Sequence, residues 1–215
     1  MNPQVTGTAT STGFSSSTES SYTFPHTVPA DANCLVIFQN NRLFDGGFKT
    51  IASITFDGVA MTQQYNASDS YTFSASTLMN PHPGTHNVVI TWVGPPNSAA
   101  ISVINVKNTS GFNVKNKDVY VATSTADVDI VTTKVNELVL CSTYGVNEGA
   151  TSYGTGQTQI TNFAQGAFHQ STSWKDADSP GSTTMTVNFG GTTDGDILAL
   201  SFMEDSFVPQ TIGII

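Results

Sequence analysis

An all-β chain is what this sequence predicts: an antiparallel β-sandwich, jelly-roll-like, with roughly a dozen strands. Three observations predict it. Leu, Glu, Lys and Arg are scarce over the 215 residues, so helix-forming material is missing, whereas Thr, Val, Ile, Phe and Tyr are plentiful and suit strands. Short apolar or alternating runs recur between Gly, Pro and Asn signals, at the spacing of about 8–12 residues that a sandwich shows. The stretch Ser53–Thr62, SITFDGVAMT, reads as a two-residue hairpin with Asp57-Gly58 at its tip, because a type I′ turn needs positive φ at both central positions.

In that hairpin register Phe56 faces Val59 and Ile54 faces Met61, so four apolar side chains share one face. Ser53, Thr55, Ala60 and Thr62 share the other. The remaining elements follow in order. Residues 1–20 are Ser, Thr and Gly almost throughout, which makes them an N-terminal arm or an edge strand. Tyr22–Val28 is a short strand, and Pro25 places it at an edge or a bulge. Asn33–Gln39 carries four apolar residues in succession and reads as a central strand buried on both faces. Asn40–Lys49 is a loop. Ser70–Leu78 is a strand, and Asn80-Pro81-His82-Pro83-Gly84 a rigid turn. In Asn87–Val93 the residues Val88, Ile90 and Trp92 share one face. Ala99–Val106, Val119–Thr123, Val128–Val131 and Glu137–Ser142 are further strands. Gly145–Gly156 is a Gly-rich loop. Gln157–Phe163 and Phe168–Trp174 are weaker strands, and Lys175–Gly181 a turn. Thr184–Phe189 is a strand, Gly190–Gly195 a turn, and Asp196–Met203 the closing core strand. Nothing divides residues 21–203, so they are expected to form one β-sandwich domain. Residues 204–215 are an apolar C-terminal arm.

Composition excludes several functions. Only 11% of the chain is charged, the formal net charge is −9, and the seven Lys and Arg are scattered. They form no phosphate-tracking stripe, so nucleic-acid binding is not expected. The same acidity opposes an anionic membrane, and no apolar run approaches the roughly 20 residues a spanning helix needs. The opening residues MNPQVTGTATST carry neither a basic nor an apolar segment, so no secretory leader is expected. Cys34 and Cys141 each sit in an apolar run and read as small buried core residues, with a disulfide as the alternative.

No catalytic signature is present: no GxSxG, GxGxxG, GxxxxGK[ST], HExxH or CxxC. His82 and His86 flank the Pro83-Gly84 turn and are close enough in sequence to meet a metal, but no third ligand stands nearby, so no metal and no cofactor are expected. Asp176, Asp178 and Gly181 match the first half of a calcium loop, but Val187 occupies the place of its closing Glu. Asp127 with Asp129, and Asp194 with Asp196, are pairs two residues apart. In a strand each pair shares a face, and solvent is expected between the carboxylates. Trp174, with Asp176 and Asp178 beside it, is the one plausible glycan patch; a glycan-binding module predicts an exposed Trp174 or a row of exposed tyrosines, Tyr144 and Tyr153, in a concave face. The tail residues Phe207, Val208, Ile212, Ile214 and Ile215 either cap the chain's own core or dock on a partner.

The succession ITFDGVAMT, NPHPGTHNVVITW, ISVINVKN and ILALSFMED resembles β-sandwich proteins of tailed-phage virions and related bacterial surface modules. There a Tyr or Phe precedes paired glycines and a Leu/Met-Thr step, a Pro-Pro-Ala-Gly turn follows, and an Ala-Leu-Ser-Phe strand closes the domain. Here Asp57-Gly58 stands for the paired glycines and Pro81-His82-Pro83-Gly84 for the turn, over about Ile51–Met203. The resemblance implies a structural, non-enzymatic virion protein, most simply a capsid decoration, cement or head-fibre protein. It implies a major capsid protein or other virion protein as partner, and a homo-oligomer, with a trimer favoured. A phage tail component and a glycan-binding module for host attachment or a cell surface are the alternatives. Assembly in the host cytoplasm into the virion would follow.

Overall fold

The computed structural model describes residues 1–15, 17–42, 49–66, 72–146, 148–165 and 168–205. Among the described residues the chain is all-β and antiparallel, with fifteen strands. The first nine are β1 (Gln4–Phe14), β2 (Ser21–Val28), β3 (Cys34–Arg42), β4 (Ile51–Phe56), β5 (Val59–Ala60), β6 (Thr62–Asn66), β7 (Thr72–Met79), β8 (Gly84–Trp92) and β9 (Ser98–Lys107). The other six are β10 (Thr109–Thr132), β11 (Glu137–Val146), β12 (Ala150–Tyr153), β13 (Thr158–Gln165), β14 (Phe168–Ala177) and β15 (Gly181–Glu204).

They make three sheets. An outer sheet has the order β2-β8-β4-β5, a middle sheet β1-β9-β3-β7-β6, and a folded sheet β10-β15-β11-β14-β13 with β12 added to β15. Three apolar clusters show how these stack. Phe24, Leu35, Ile37, Ile54, Phe56, Ile90, Trp92 and Val103 lie between the outer and middle sheets. Val36, Phe38, Phe73, Ile104, Leu138, Leu140, Leu198 and Phe202 lie between the middle and folded sheets. Ala126, Val128, Ile130, Met185 and Val187, from the far half of the β10–β15 ribbon, pack on Val139, Cys141, Ile197 and Ala199 across the back of the same sheet. The sandwich is therefore doubled into four layers.

This stacking explains the continuous apolar runs. In β3, alternate residues serve different cores: Leu35 and Ile37 face the outer sheet, Val36 and Phe38 the folded sheet. All of Cys34–Asn41 is buried, as expected for a central strand covered on both faces. In β11 the division is the same, with Leu138 and Leu140 on one side and Val139 and Cys141 on the other. Both cysteines are free and buried. Burial pushes the Cys34 thiol up to about 12 and raises that of Cys141 further, so neither offers a thiolate.

The Ser/Thr-rich start forms β1, an edge strand paired with β9. Its hydroxyls have specific partners, which is how so polar a segment is held. Thr6 donates to Asp31, Ser11 meets Ser102, and Thr12 meets the Tyr22 hydroxyl at 3.0 Å. Thr10 Oγ1 lies 2.8 Å from His26 Nδ1, and His26 Nε2 lies 3.0 Å from Asn105 Oδ1. Asn105 in turn donates to the Thr27 carbonyl, which fixes its amide so that Oδ1 accepts from the ring. This relay is an internal strut between the outer and middle sheets.

Burial holds the His26 imidazole below its ordinary range, and the bond to Asn105 offsets this only in part. The unfolded ring takes a proton near pH 6.5, the folded ring only at lower pH. Stability from this group is complete above about pH 6.5 and is lost on acidification toward the folded value. The denaturant midpoint of the wild type is expected to fall between about pH 7 and about pH 5.5, and to fall less in His26→Gln. Equal slopes for the two proteins would remove His26 as the cause.

Several sequence expectations change. The hairpin has its register, Thr55 opposite Ala60 and Phe56 opposite Val59, and positive φ at Asp57 (50°) and Gly58 (76°). Its apolar face is not uniformly covered, however. Phe56 is buried and Val59 is 53% exposed, because β5 is a two-residue edge with no layer beyond it. Val119–Thr123 and Val128–Val131 belong to one 24-residue strand, β10. Thr184–Phe189 and Asp196–Met203 likewise belong to β15, and Gly190–Gly195 is a bend within it. Thr123 pairs with Thr193 and Thr125 with Asn188, so β15 carries extra residues there and the ribbon folds over. Gly145–Gly156 is not all loop: it holds the end of β11 and the whole of β12.

Candidate functional site

The turn and the hairpin converge at one end of the outer sheet. Strand β4 pairs with β8, Ile54 opposite Ile90 and Phe56 opposite Val88. This brings the β4–β5 hairpin tip beside the turn that leads into β8. The Asp57 N–H donates to the Asn87 carbonyl at 3.0 Å, and the Asn80 N–H to the Asn33 carbonyl at 2.8 Å, so both turns are anchored. Prolines 81 and 83 fix the backbone on either side of His82. Gly84 has φ +112°, and a Cβ there would lie 3.2 Å from His86 Nε2, so glycine both permits the turn and leaves room for the ring.

The result is a compact group of Asp57, His82 and His86. His82 Nδ1 lies 2.9 Å from Asp57 Oδ2, and His86 Nδ1 3.1 Å from Asp57 Oδ1. The two imidazoles stack with centroids 4.7 Å apart, and the edge of Phe56 seats His86 at 5.7 Å. His86 Nε2 donates to the Pro83 carbonyl at 3.1 Å. The hydrogen bond from His82 outweighs desolvation and, with the attraction of both rings, holds the Asp57 carboxyl below the usual carboxylate range. Asp57 separates two open hollows of about 450 and 460 Å³, one bordered by His82 and Met79, the other by His86 and Thr85. Among the described residues this is the one group of three metal-ligating side chains with converging donors. The spacing of His82 and His86 was visible in sequence. Asp57 was not, because a residue 25 positions away reads only as a turn former.

Trp174 is half-buried in β14, where it packs on the cluster between the middle and folded sheets, and Asp176 and Asp178 are exposed beside it. Desolvation first, and then the neighbouring Asp178 charge, raise the Asp176 carboxyl. The tyrosine face does not form: Tyr144 is buried and stacks on Phe168, and Tyr153 is half-buried. Asp127 and Asp129 are both exposed on β10, as the solvent reading requires. Asp194 and Asp196 differ. Asp196 is 1% exposed, and its Oδ2 lies 3.3 Å from Lys117 Nζ, so an ion pair rather than solvent balances it. Phe207, Val208, Ile212, Ile214 and Ile215 lie outside the described residues.

No family model matches the chain, and no curated protein does. Among solved structures, the chain is similar to the major capsid protein P2 of bacteriophage PM2, with 7% identity, a TM-score of 0.29, and 91% and 97% of the two chains covered. It is also similar to a chain in the atomic structure of Sulfolobus Turreted Icosahedral Virus, with 7% identity, a TM-score of 0.27, and 94% and 90% covered. A third is PNGase F, a glycosylasparaginase from Flavobacterium meningosepticum, with 10% identity, a TM-score of 0.26, and 95% and 96% covered. Likeness at this level is too loose to carry function.

Proposed function

We propose that this chain is a non-enzymatic structural protein of a virion, in the role of a capsid decoration, cement or head-fibre protein. The observation that carries the reading is strand β10. It is 24 residues long and pairs on one side only, with β15, among the described residues. Along it Val119, Val121 and Val131 are 49%, 72% and 63% exposed. A long edge with apolar side chains is a template for another strand, and proteins that stay alone blunt such edges with charge. Lys115 and Asp118 guard the first part of β10 and Asp127 and Asp129 the last; the stretch between them, which holds Val119 and Val121, carries no charge. The four-layer body supplies the rigidity a shell component needs. The resemblance of ITFDGVAMT and NPHPGTHNVVITW to virion sandwich proteins supports the same role.

In this reading the partner is a major capsid protein or another virion protein, and the chain associates with itself, as a trimer. Phe207, Val208, Ile212, Ile214 and Ile215 add an apolar arm that docks across the boundary. Light scattering on a sizing column is expected to show a trimer. Val121→Lys and deletion of Phe207–Ile215 are each expected to weaken self-association or binding to shells by about tenfold or more. Val121→Lys should leave stability within about 0.5 kcal/mol, as exposed substitutions do. A monomer whose shell binding neither change affects would end the proposal.

A further inference from the structure

We propose that Asp57, His82 and His86 form a zinc site with two imidazole nitrogens, one carboxylate and an open coordination position. The donor atoms all lie within 4.8 Å of one another. Both Nδ1 atoms face the one carboxylate, His82 on Oδ2 at 2.9 Å and His86 on Oδ1 at 3.1 Å, so two imidazoles and one carboxylate converge. Imidazole with carboxylate suits zinc and its first-row neighbours; calcium and magnesium ask for an oxygen shell that this group does not offer.

The hydrogen bonding of His86 orients its ring for this role. Its Nε2–H donates to the Pro83 carbonyl, which can only accept. Its Nδ1 faces Asp57 Oδ1 at 3.1 Å, so the ring nitrogen opposite the Pro83 contact is the one aimed into the group. The bond to Pro83 is also the outer contact that metal-bound histidines use to fix tautomer and ring orientation.

The scaffold is prepared for this role. The carboxylate sits at a tight hairpin tip, and His82 lies between two prolines in a turn anchored to the middle sheet. The group is accessible: His82 is 67% and Asp57 39% exposed in their side chains, and hollows open on both sides. The fourth position faces outward and takes water or a donor from an incoming molecule. Bound zinc ties the β4–β5 tip to the turn before β8. The site does not depend on the virion role.

The test is calorimetric titration of the tag-free chain with a zinc salt alone, repeated with Co²⁺ while the visible absorption is read. A single ion per chain and a four-coordinate Co²⁺ spectrum are expected. Asp57→Asn and His82→Gln should each weaken zinc binding by about tenfold or more, and Asp127→Asn on β10 should not. Asn tolerates the positive φ at position 57, and His82 is exposed, so both variants keep the fold. Absence of saturable binding by the wild type, or binding that both site variants leave unchanged, would overturn the site.

Discussion

Replacing Gly195 by alanine is expected to abolish folding. A Cβ at this position would lie 1.7 Å from the Tyr144 carbonyl oxygen and 2.7 Å from the Tyr120 hydroxyl. The first neighbour is backbone, and it cannot retreat. Gly195 pairs with Gly145 while Asp196 pairs with Tyr144, so β15 and β11 are locked side by side at this point. Tyr120 is held as well, since its hydroxyl donates to the same Tyr144 carbonyl at 2.7 Å. Separating the strands there would open two of the apolar clusters at once, because Ile197 and Leu198 beside the glycine serve different layers. The loss should exceed about 4–5 kcal/mol, enough to consume most of a typical domain's stability. Gly58→Ala is the contrast. Its φ is +76° and nothing lies within 4 Å of the added methyl, so it should cost only about 1–2 kcal/mol. Soluble yield and a circular-dichroism melt of the two variants decide the matter. A folded Gly195→Ala protein with near-native melting would show that the β11–β15 approach is looser than described.

Trp92→Ala should cost about 3–5 kcal/mol, as truncation of a fully packed aromatic does. The indole is 2% exposed in the cluster between the outer and middle sheets, with the Phe14 ring edge-on at 5.7 Å. Its Nε1–H donates to Gln39 Oε1 at 3.2 Å, inside the core. Trp92→Phe separates the two contributions. It keeps most of the ring but leaves the Gln39 oxygen without that donor, at a cost of about 1–3 kcal/mol. Equilibrium denaturation of both variants gives the comparison. If Trp92→Phe is as damaging as Trp92→Ala, the hydrogen bond rather than the packing dominates. If neither shifts the midpoint, the outer sheet contributes little to the cooperative unit. Phe14 comes from the Ser/Thr-rich first strand, so the same measurement reports how firmly that strand is held.

Most strands were legible because each carries its own signature. Alternation placed Val88, Ile90 and Trp92 on one face, and they are buried together. An unbroken apolar run marked β3 as covered on both sides, which it is. Asp57-Gly58 specified its turn locally, and the positive φ values follow. Glycine misled where pairing overrode local preference. The run Gly190–Gly195 reads as a chain reversal, yet the hydrogen bonds of β10, β11 and β12 carry β15 through it as a bend. Asp196 misled for a similar reason. Its position in a strand was readable, but Lys117 comes from β10, and only the pairing of β10 with β15 brings the ammonium to the carboxylate.

The candidate site divides in the same way. His82 and His86 are close in sequence, so their approach follows from a short rigid turn. Asp57 joins them only because β4 lies against β8 in one register. A slip of one residue would turn its side chain to the other face. By itself the sequence determined the all-β class, most strand positions, the two-residue hairpin and the burial of both cysteines, because each depends on contacts within a few residues. Only the tertiary structure decided the four-layer stack, the folding of the long ribbon, the Lys117–Asp196 pair and the meeting of Asp57 with the two histidines. Those depend on which strands pair across long separations, and no local periodicity encodes that choice.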